Sequence, residues 1–152
     1  MRVLFVCNLN SVRSPMAAAL LRGAGGADFT VDSAGVYEGW LDPFAAAAVA
    51  ELDLSLDEHE PKAMKAMDLA AFDAVVALTD EAAAEARRVA PDAAVELWTV
   101  PNPSNERGDR EAVMTAYRGV RDALAAKIAD RFGVTAPGAA PGAGPSGARA
   151  PD

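Results

Sequence analysis

Residues 2–16, RVLFVCNLNSVRSPM, contain the chain's single cysteine, and their reading decides the fold. The run from Val3 to Cys7 is apolar without interruption and rich in β-formers, which predicts a strand buried on both faces of a parallel sheet. After it, SPMAAALLRG reads as a helix with Ser14 as N-cap, Pro15 at the first helical position and Gly23 just past the end. Cys7 then ends the strand, and residues 8–13 turn tightly into a helix whose first free N–H groups face the loop. In sheets of this kind ligands bind outside the carboxyl ends of the strands, where Cys7 stands.

The rest of the chain repeats the pattern. A strand is predicted around Phe29 to Ser33, a helix from about Pro43 to Leu52 and a short helical piece near Lys62 to Ala71. DAVVALT (73–79) reads as a strand followed by the helix DEAAAEARRVA, and AVELWTV (94–100) as a strand followed by a long helix from about Asp109 to Phe132. Repeated β-then-α units predict an α/β domain over residues 1–134, a four-stranded parallel sheet with helices on both faces and a Rossmann-like plan. From Thr135 to Asp152 the sequence TAPGAAPGAGPSGARAPD has no apolar periodicity, so a disordered tail is expected there.

With 152 residues, one core is expected. No stretch approaches the roughly 18–20 apolar residues of a membrane-spanning helix. The opening MRVLFVC lacks the length and cleavage site of a secretory signal and reads as mature structure. One cysteine excludes an internal disulfide framework and multi-cysteine metal sites, and fits a reducing cytoplasm. A net charge of −8 argues against nucleic acid and anionic membrane as partners. The same charge opposes any anionic substrate, so an anion site has to be built locally from backbone N–H groups, a helix N-terminus and a few cations.

The opening stretch meets that requirement. The loop amides, the positive helix end and Arg13 together favour thiolate over thiol at Cys7, and thiolate is the nucleophile. The planar fork of Arg13 can hold two oxygens of a tetrahedral oxyanion while sulfur attacks from below. This reads as a site for covalent phosphoryl transfer. The plainer alternative is a buried cysteine acting as a small hydrophobe beside a surface arginine.

VLFVCNLNSVRSPMA resembles the Cys-x5-Arg-Ser loop of the low-molecular-weight protein tyrosine phosphatase and arsenate reductase family, with a strand before it and a helix behind. The resemblance extends over about residues 1–133: Asp32-Ser33-Ala34-Gly35, Asp42-Pro43, Leu54-Ser55 through His59, Thr79-Asp80 and Pro101-Asn102-Pro103 each fall where the family has a characteristic segment. It implies a fold without metal or organic cofactor. It also implies Cys7 as nucleophile, Arg13 as phosphate clamp, and a phosphate cradle formed by Asn8, Leu9, Asn10, Ser11, Val12, Arg13 and Ser14. By the same resemblance Ser14 hydrogen-bonds the thiolate, Asn10 holds the strained loop, and Ser33 and His59 brace Asn10. The plain readings are a helix cap for Ser14, a strand-end turn residue for Ser33 and an exposed loop residue for His59.

Several positions depart from the family. Leu9 replaces a common loop glycine, so a slightly different loop shape is expected. Val12 stands where many eukaryotic members have a second cysteine, and Ser104 where many have an aromatic pocket wall, for which Tyr37 or Trp40 can substitute. Asn102 occupies the catalytic position of the aspartic acid that protonates the leaving oxygen, and an amide cannot donate its proton to an alkoxide. Glu106 or Asp109 in the same loop can replace it, or can be ordinary solvated carboxylates. Asp80 is either a supporting hydrogen-bond acceptor or the cap of a helix beginning at Glu81.

Three functions follow from these readings. The leading one is hydrolysis of a phosphorylated protein or small aryl phosphate through a cysteinyl-phosphate, with a weakened acid step. Arsenate reduction is open only with an external small thiol, because the thioredoxin-coupled version relays oxidation through further cysteines. The third is a phospho-ligand binding protein in which the Asn102 change has left binding without turnover.

Overall fold

Burial without a break from Val3 to Cys7 has a simple cause: the first strand lies inside the sheet, with neighbours on both edges and a layer on each face. The computed structural model describes residues 1–135. Strand β1 (Arg2–Cys7) pairs in parallel with β2 (Thr30–Gly35) and with β3 (Ala74–Ala77), and β4 (Val95–Leu97) pairs in parallel with β3. The order across the sheet is β2-β1-β3-β4, and the register sets Cys7 beside Gly35 at the carboxyl edge.

Alternation along β1 divides the core. Val3, Phe5 and Cys7 face a layer made by helices α1 (Arg13–Gly25), α2 (Pro43–Ala50) and α4 (Arg110–Phe132). Leu4 and Val6 face helix α3 (Asp80–Val89) and the short turns Met64–Ala66 and Leu69–Ala71. Each fully buried Leu, Phe or Val contributes on the order of 1.5–3 kcal/mol by leaving water. The larger layer carries most of that burial. Phe5, Trp98 and Phe132 meet there edge-on or tilted, with centroids 6.0–6.4 Å apart.

Helix ends follow side-chain chemistry at three places. Asp42 caps α2 through Phe44 N–H at 2.8 Å, with Pro43 at the first helical position. Thr79 caps α3 through Ala82 N–H at 3.0 Å. Asp109 caps α4 through Ala112 N–H at 2.9 Å, and Gly133, at φ 68°, ends it.

Several boundaries differ from the sequence expectation. Helix α1 starts at Arg13 after Val12 and has no side-chain cap, so Ser14 is not the N-cap and Pro15 is not the first helical residue. The Ser14 hydroxyl is used inside the molecule instead. Gly23 does not stop α1, which runs to Gly25; a Cβ at position 23 would stand 2.5 Å from Leu54 Cδ2, so the glycine makes room for packing. Asp80 does not cap α3, because Thr79 already supplies the oxygen. The predicted helical piece at 62–71 is two short 3-10 turns, α2 stops at Ala50, and β4 has three residues. The expected tail from 135 lies outside the described residues from position 136 on. No helix among the described residues is long and apolar enough to cross a membrane.

Leu124, fully buried on α4 within the larger core cluster, tests that layer. Leu124→Ala should cost about 2–5 kcal/mol in urea unfolding, since the helix cannot collapse into the cavity it leaves.

Candidate active site

Between β1 and α1 the chain turns six consecutive carbonyls away from the bowl they surround. Cys7 O accepts from Val36 N, Asn8 O from Tyr37 N, Leu9 O from Gly39 N, Ser11 O from Asp42 N and Val12 O from Met16 N, at 2.8–3.1 Å. Asn10 O accepts from His59 Nε2 at 2.9 Å. Since a carbonyl only accepts, Nε2 is the protonated nitrogen of His59. With these oxygens taken, the N–H groups of Asn8, Leu9, Ser11 and Val12 donate to no protein acceptor among the described residues. These four residues line a cavity of about 290 Å³ together with Cys7, Arg13, Tyr37, Asn102 and Ser104. Converging free N–H groups at an uncapped helix start make an anion-binding concavity.

The loop is held from beneath by Asn10, which is fully buried and carries φ 55°. Its Nδ2 donates to Ser14 Oγ and to Ser33 Oγ, both at 2.9 Å, and its Oδ1 accepts from Lys62 N at 3.0 Å. Asparagine tolerates the left-handed region better than most side chains, and here the bonding holds it there. Leu9 does not have positive φ, so a side chain fits where the family often has glycine. Gly35 at the end of β2 is needed for close approach: a Cβ there would lie 2.7 Å from Asn10 N and Tyr37 O and 2.8 Å from Asn8 O. Asn10 and Ser14 therefore sit under the cradle rather than in its wall.

Cys7 is 2% exposed, with Sγ 2.9 Å from Ser14 Oγ. Ser14 Oγ already accepts from Asn10, so its single proton is free for the sulfur or for Ala34 O at 3.3 Å. Arg13 is half-buried at the helix start, and its NH1 is tethered to Val100 O at 3.0 Å. Burial pushes its guanidinium below the ordinary value, while the charge of Cys7 opposes the shift. An arginine remains a cation under these conditions.

The remaining candidates separate. Asn102 lines the cavity, but its Oδ1 accepts from Ser104 N and Ser104 Oγ. Glu106 lines a neighbouring groove with Trp40 and Phe44 rather than the cavity, and the Asp109 carboxylate is occupied by capping α4. Asp80 is exposed and bonds nothing in the site. Tyr37, 59% exposed, forms part of the cavity wall, whereas Trp40, 79% exposed, stands on the adjoining groove. His59 is half-buried against Asn10, not an exposed loop residue. Burial holds its pKa below the ordinary histidine value, and Lys62 and Arg22 add to the shift, although the bond to Asn10 opposes it.

Three supports were missed in the sequence. Thr79 Oγ1 donates to Asn8 Oδ1 at 2.7 Å, and Asn8 Nδ2 donates to Glu81 Oε1 at 3.1 Å, which ties the cavity wall to α3. Tyr117 OH donates to Asp42 Oδ2 at 2.6 Å and so fixes the strap 36–42 to α4. Val100 O fixes Arg13. Only Thr79 carried a signal, since threonine between a strand and a helix is a favoured N-cap type, although the sequence reading placed the cap at Asp80.

Comparison with known proteins shows the family and the fold. Residues 2–132 match the family model described as low molecular weight phosphotyrosine protein phosphatase. An arsenate reductase of Oceanobacillus iheyensis is 30% identical over 134 residues, covering 88% of this chain and 94% of that protein. Among solved structures, a low molecular weight protein tyrosine phosphatase from T. tengcongensis superposes with TM-score 0.75 at 25% identity, covering 88% of this chain and 98% of the other. The arginine phosphatase of Geobacillus stearothermophilus gives TM-score 0.73 at 26% identity over 86% of this chain and 89% of its own.

Gly35→Ala should reduce inorganic phosphate binding by more than tenfold in calorimetry, because the added methyl meets loop backbone that cannot move without opening the cradle. The His59 shift predicts a pH effect of definite sign. With the folded value depressed, its contribution is full above the unfolded value of about 6.5 and is lost as pH falls through the folded one. The stability gap between the wild type and His59→Gln should therefore narrow from about pH 7.5 to about pH 5 in urea titrations.

Proposed function

Since the chain belongs to the low molecular weight phosphotyrosine protein phosphatase family, we propose that it is a cysteine-dependent phosphatase that works through a cysteinyl-phosphate at Cys7. The observation that carries this reading is the ring of outward carbonyls, which leaves N–H groups and Arg13 around one sulfur. The phosphoryl oxygens rest on the amides of the loop and the fork of Arg13, and the sulfur lies at the floor of the cavity. Attack forms the S–P bond as the P–O bond to the leaving group breaks. Ser14 holds the sulfur and gives it a proton to share when it leaves again. Asn10, braced by Ser33, His59 and Lys62 N, keeps the cradle in shape. Phosphorylated proteins or small aryl phosphates are within its reach with a weakened acid step, since Asn102 stands in the cavity wall, and the thiolate chemistry suits a reducing cytoplasm.

Arsenate reduction is a second reading, favoured by the relatives that bear that name. With one cysteine in the chain, no internal thiol can take over an oxidised or arsenylated Cys7, so an external small thiol has to complete the cycle. A phospho-ligand binding protein is the outcome if chemistry fails.

The test is turnover of p-nitrophenyl phosphate, a phosphotyrosine peptide, and arsenate with a small thiol, each beside variants. Cys7→Ser should abolish turnover and keep phosphate binding, and Arg13→Ala should lower both by at least about 10². Reduction of arsenate without ester hydrolysis would replace the phosphatase reading by the reductase one, and phosphate binding without turnover of any substrate would leave the binding protein.

A further inference from the structure

Where a proton donor is needed for an ester, the cavity presents an amide with a fixed orientation. Asn102 Oδ1 accepts from Ser104 N at 3.0 Å and from Ser104 Oγ at 2.7 Å, so the oxygen belongs to the turn Pro103–Asn105. Nδ2 then has no protein partner among the described residues, and Asn102 is part of the cavity wall. No Asp, Glu or His among the described residues shares that wall. A carboxamide donates a hydrogen bond but keeps its proton.

Such a wall stabilises a departing oxygen as an anion and does not neutralise it. The consequence depends on the leaving group. A phenolate, of conjugate-acid pKa about 10, gains much from protonation, whereas a carboxylate, of about 4, leaves without it and is well served by a hydrogen-bond donor. The mouth of the cavity suits an apolar acyl group: Leu9 and Tyr37 line it at 46% and 59% exposure, and Trp40 adjoins at 79%.

We propose that the preferred substrates are acyl phosphates, mixed anhydrides of phosphoric acid with an apolar carboxylic acid, whose departing carboxylate is held by Asn102 Nδ2. This rests on the reading of Cys7 as a phosphoryl-accepting nucleophile. The Cys7 thiolate attacks phosphorus, the S–P bond forms, and the P–O bond to the acyl group breaks with its electron pair going to the carboxylate; no proton moves. Water then attacks the cysteinyl-phosphate, the S–P bond breaks with its pair returning to sulfur, and the proton lost by the water passes to the released phosphate or to solvent.

The experiment uses the full chain with benzoyl phosphate, p-nitrophenyl phosphate and phenyl phosphate, under rapid quench with mass spectrometry of Cys7, and with Cys7→Ser as the blank for spontaneous anhydride hydrolysis. Benzoyl phosphate should phosphorylate Cys7 faster than phenyl phosphate by on the order of 10² or more. Asn102→Ala, checked for intact binding of inorganic phosphate, should slow benzoyl phosphate about tenfold, the scale of one lost hydrogen bond in the transition state. Asn102→Asp should speed phenyl phosphate by on the order of 10² while failing to speed benzoyl phosphate, so that the selectivity collapses. Phenyl phosphate reacting as fast as benzoyl phosphate in the wild type, or Asn102→Ala leaving benzoyl phosphate unchanged, would overturn the proposal and leave the phosphatase reading intact. Absence of phosphocysteine with all three compounds would overturn both.

Discussion

The outward turn of the carbonyls of residues 7–12 is the constraint on which the site depends. A loop that closes around a cavity has two rows of peptide groups to dispose of, and a buried unpaired polar group is costly. Here every oxygen has a donor outside the cavity, four of them from the strap 36–42. Only then are the N–H groups left together on the inner side. A row of such donors with no acceptor is unfavourable in the empty protein, and that deficit is what an oxyanion relieves.

The strap and the brace explain why residues far from the chemistry are specified so tightly. Gly35 and Gly39 let two segments of backbone lie in contact, with Cβ positions that would fall 2.7–2.8 Å from loop atoms. Asp42 serves both the strap and the fold: its N–H holds Ser11 O, one carboxylate oxygen caps α2, and the other accepts from Tyr117 on α4. Asn10 carries the strained dihedral, which costs on the order of 1–3 kcal/mol unless the surroundings over-determine it, and its side chain is fully bonded. The absence of a side-chain cap on α1 has the same effect, because a capping oxygen would occupy N–H groups that are left free here.

The order of strands and helices was legible because it rests on local period and propensity. Continuous burial of Val3 to Cys7 and the helix start at Asp109 can both be read within a few residues. Ser14 was misread as a cap for a related reason: serine before proline is a strong local signal, whereas the folded loop gives its hydroxyl to Cys7 Sγ and Asn10 Nδ2 and, from β2, to Ala34 O. Gly23 was misread as a helix stop because Leu54, thirty-one residues on, is invisible to a local window.

By itself the sequence determined that a thiol and an arginine six residues apart stand between a buried strand and a helix, since spacing and apolar period are properties of neighbouring residues. It also determined that the Pro101-Asn102-Pro103 segment carries an amide and no acid. The tertiary structure alone decided which way the peptide planes carrying the Cys7 to Ser11 carbonyls face, because Val36, Tyr37, Gly39, Asp42 and His59 reach them from 29 to 49 residues away. It likewise decided that Glu106 and Asp109 stay out of the cavity wall, one in the adjoining groove and the other spent on a helix cap. Direction in a loop is set by long-range partners, and no short window of sequence contains them.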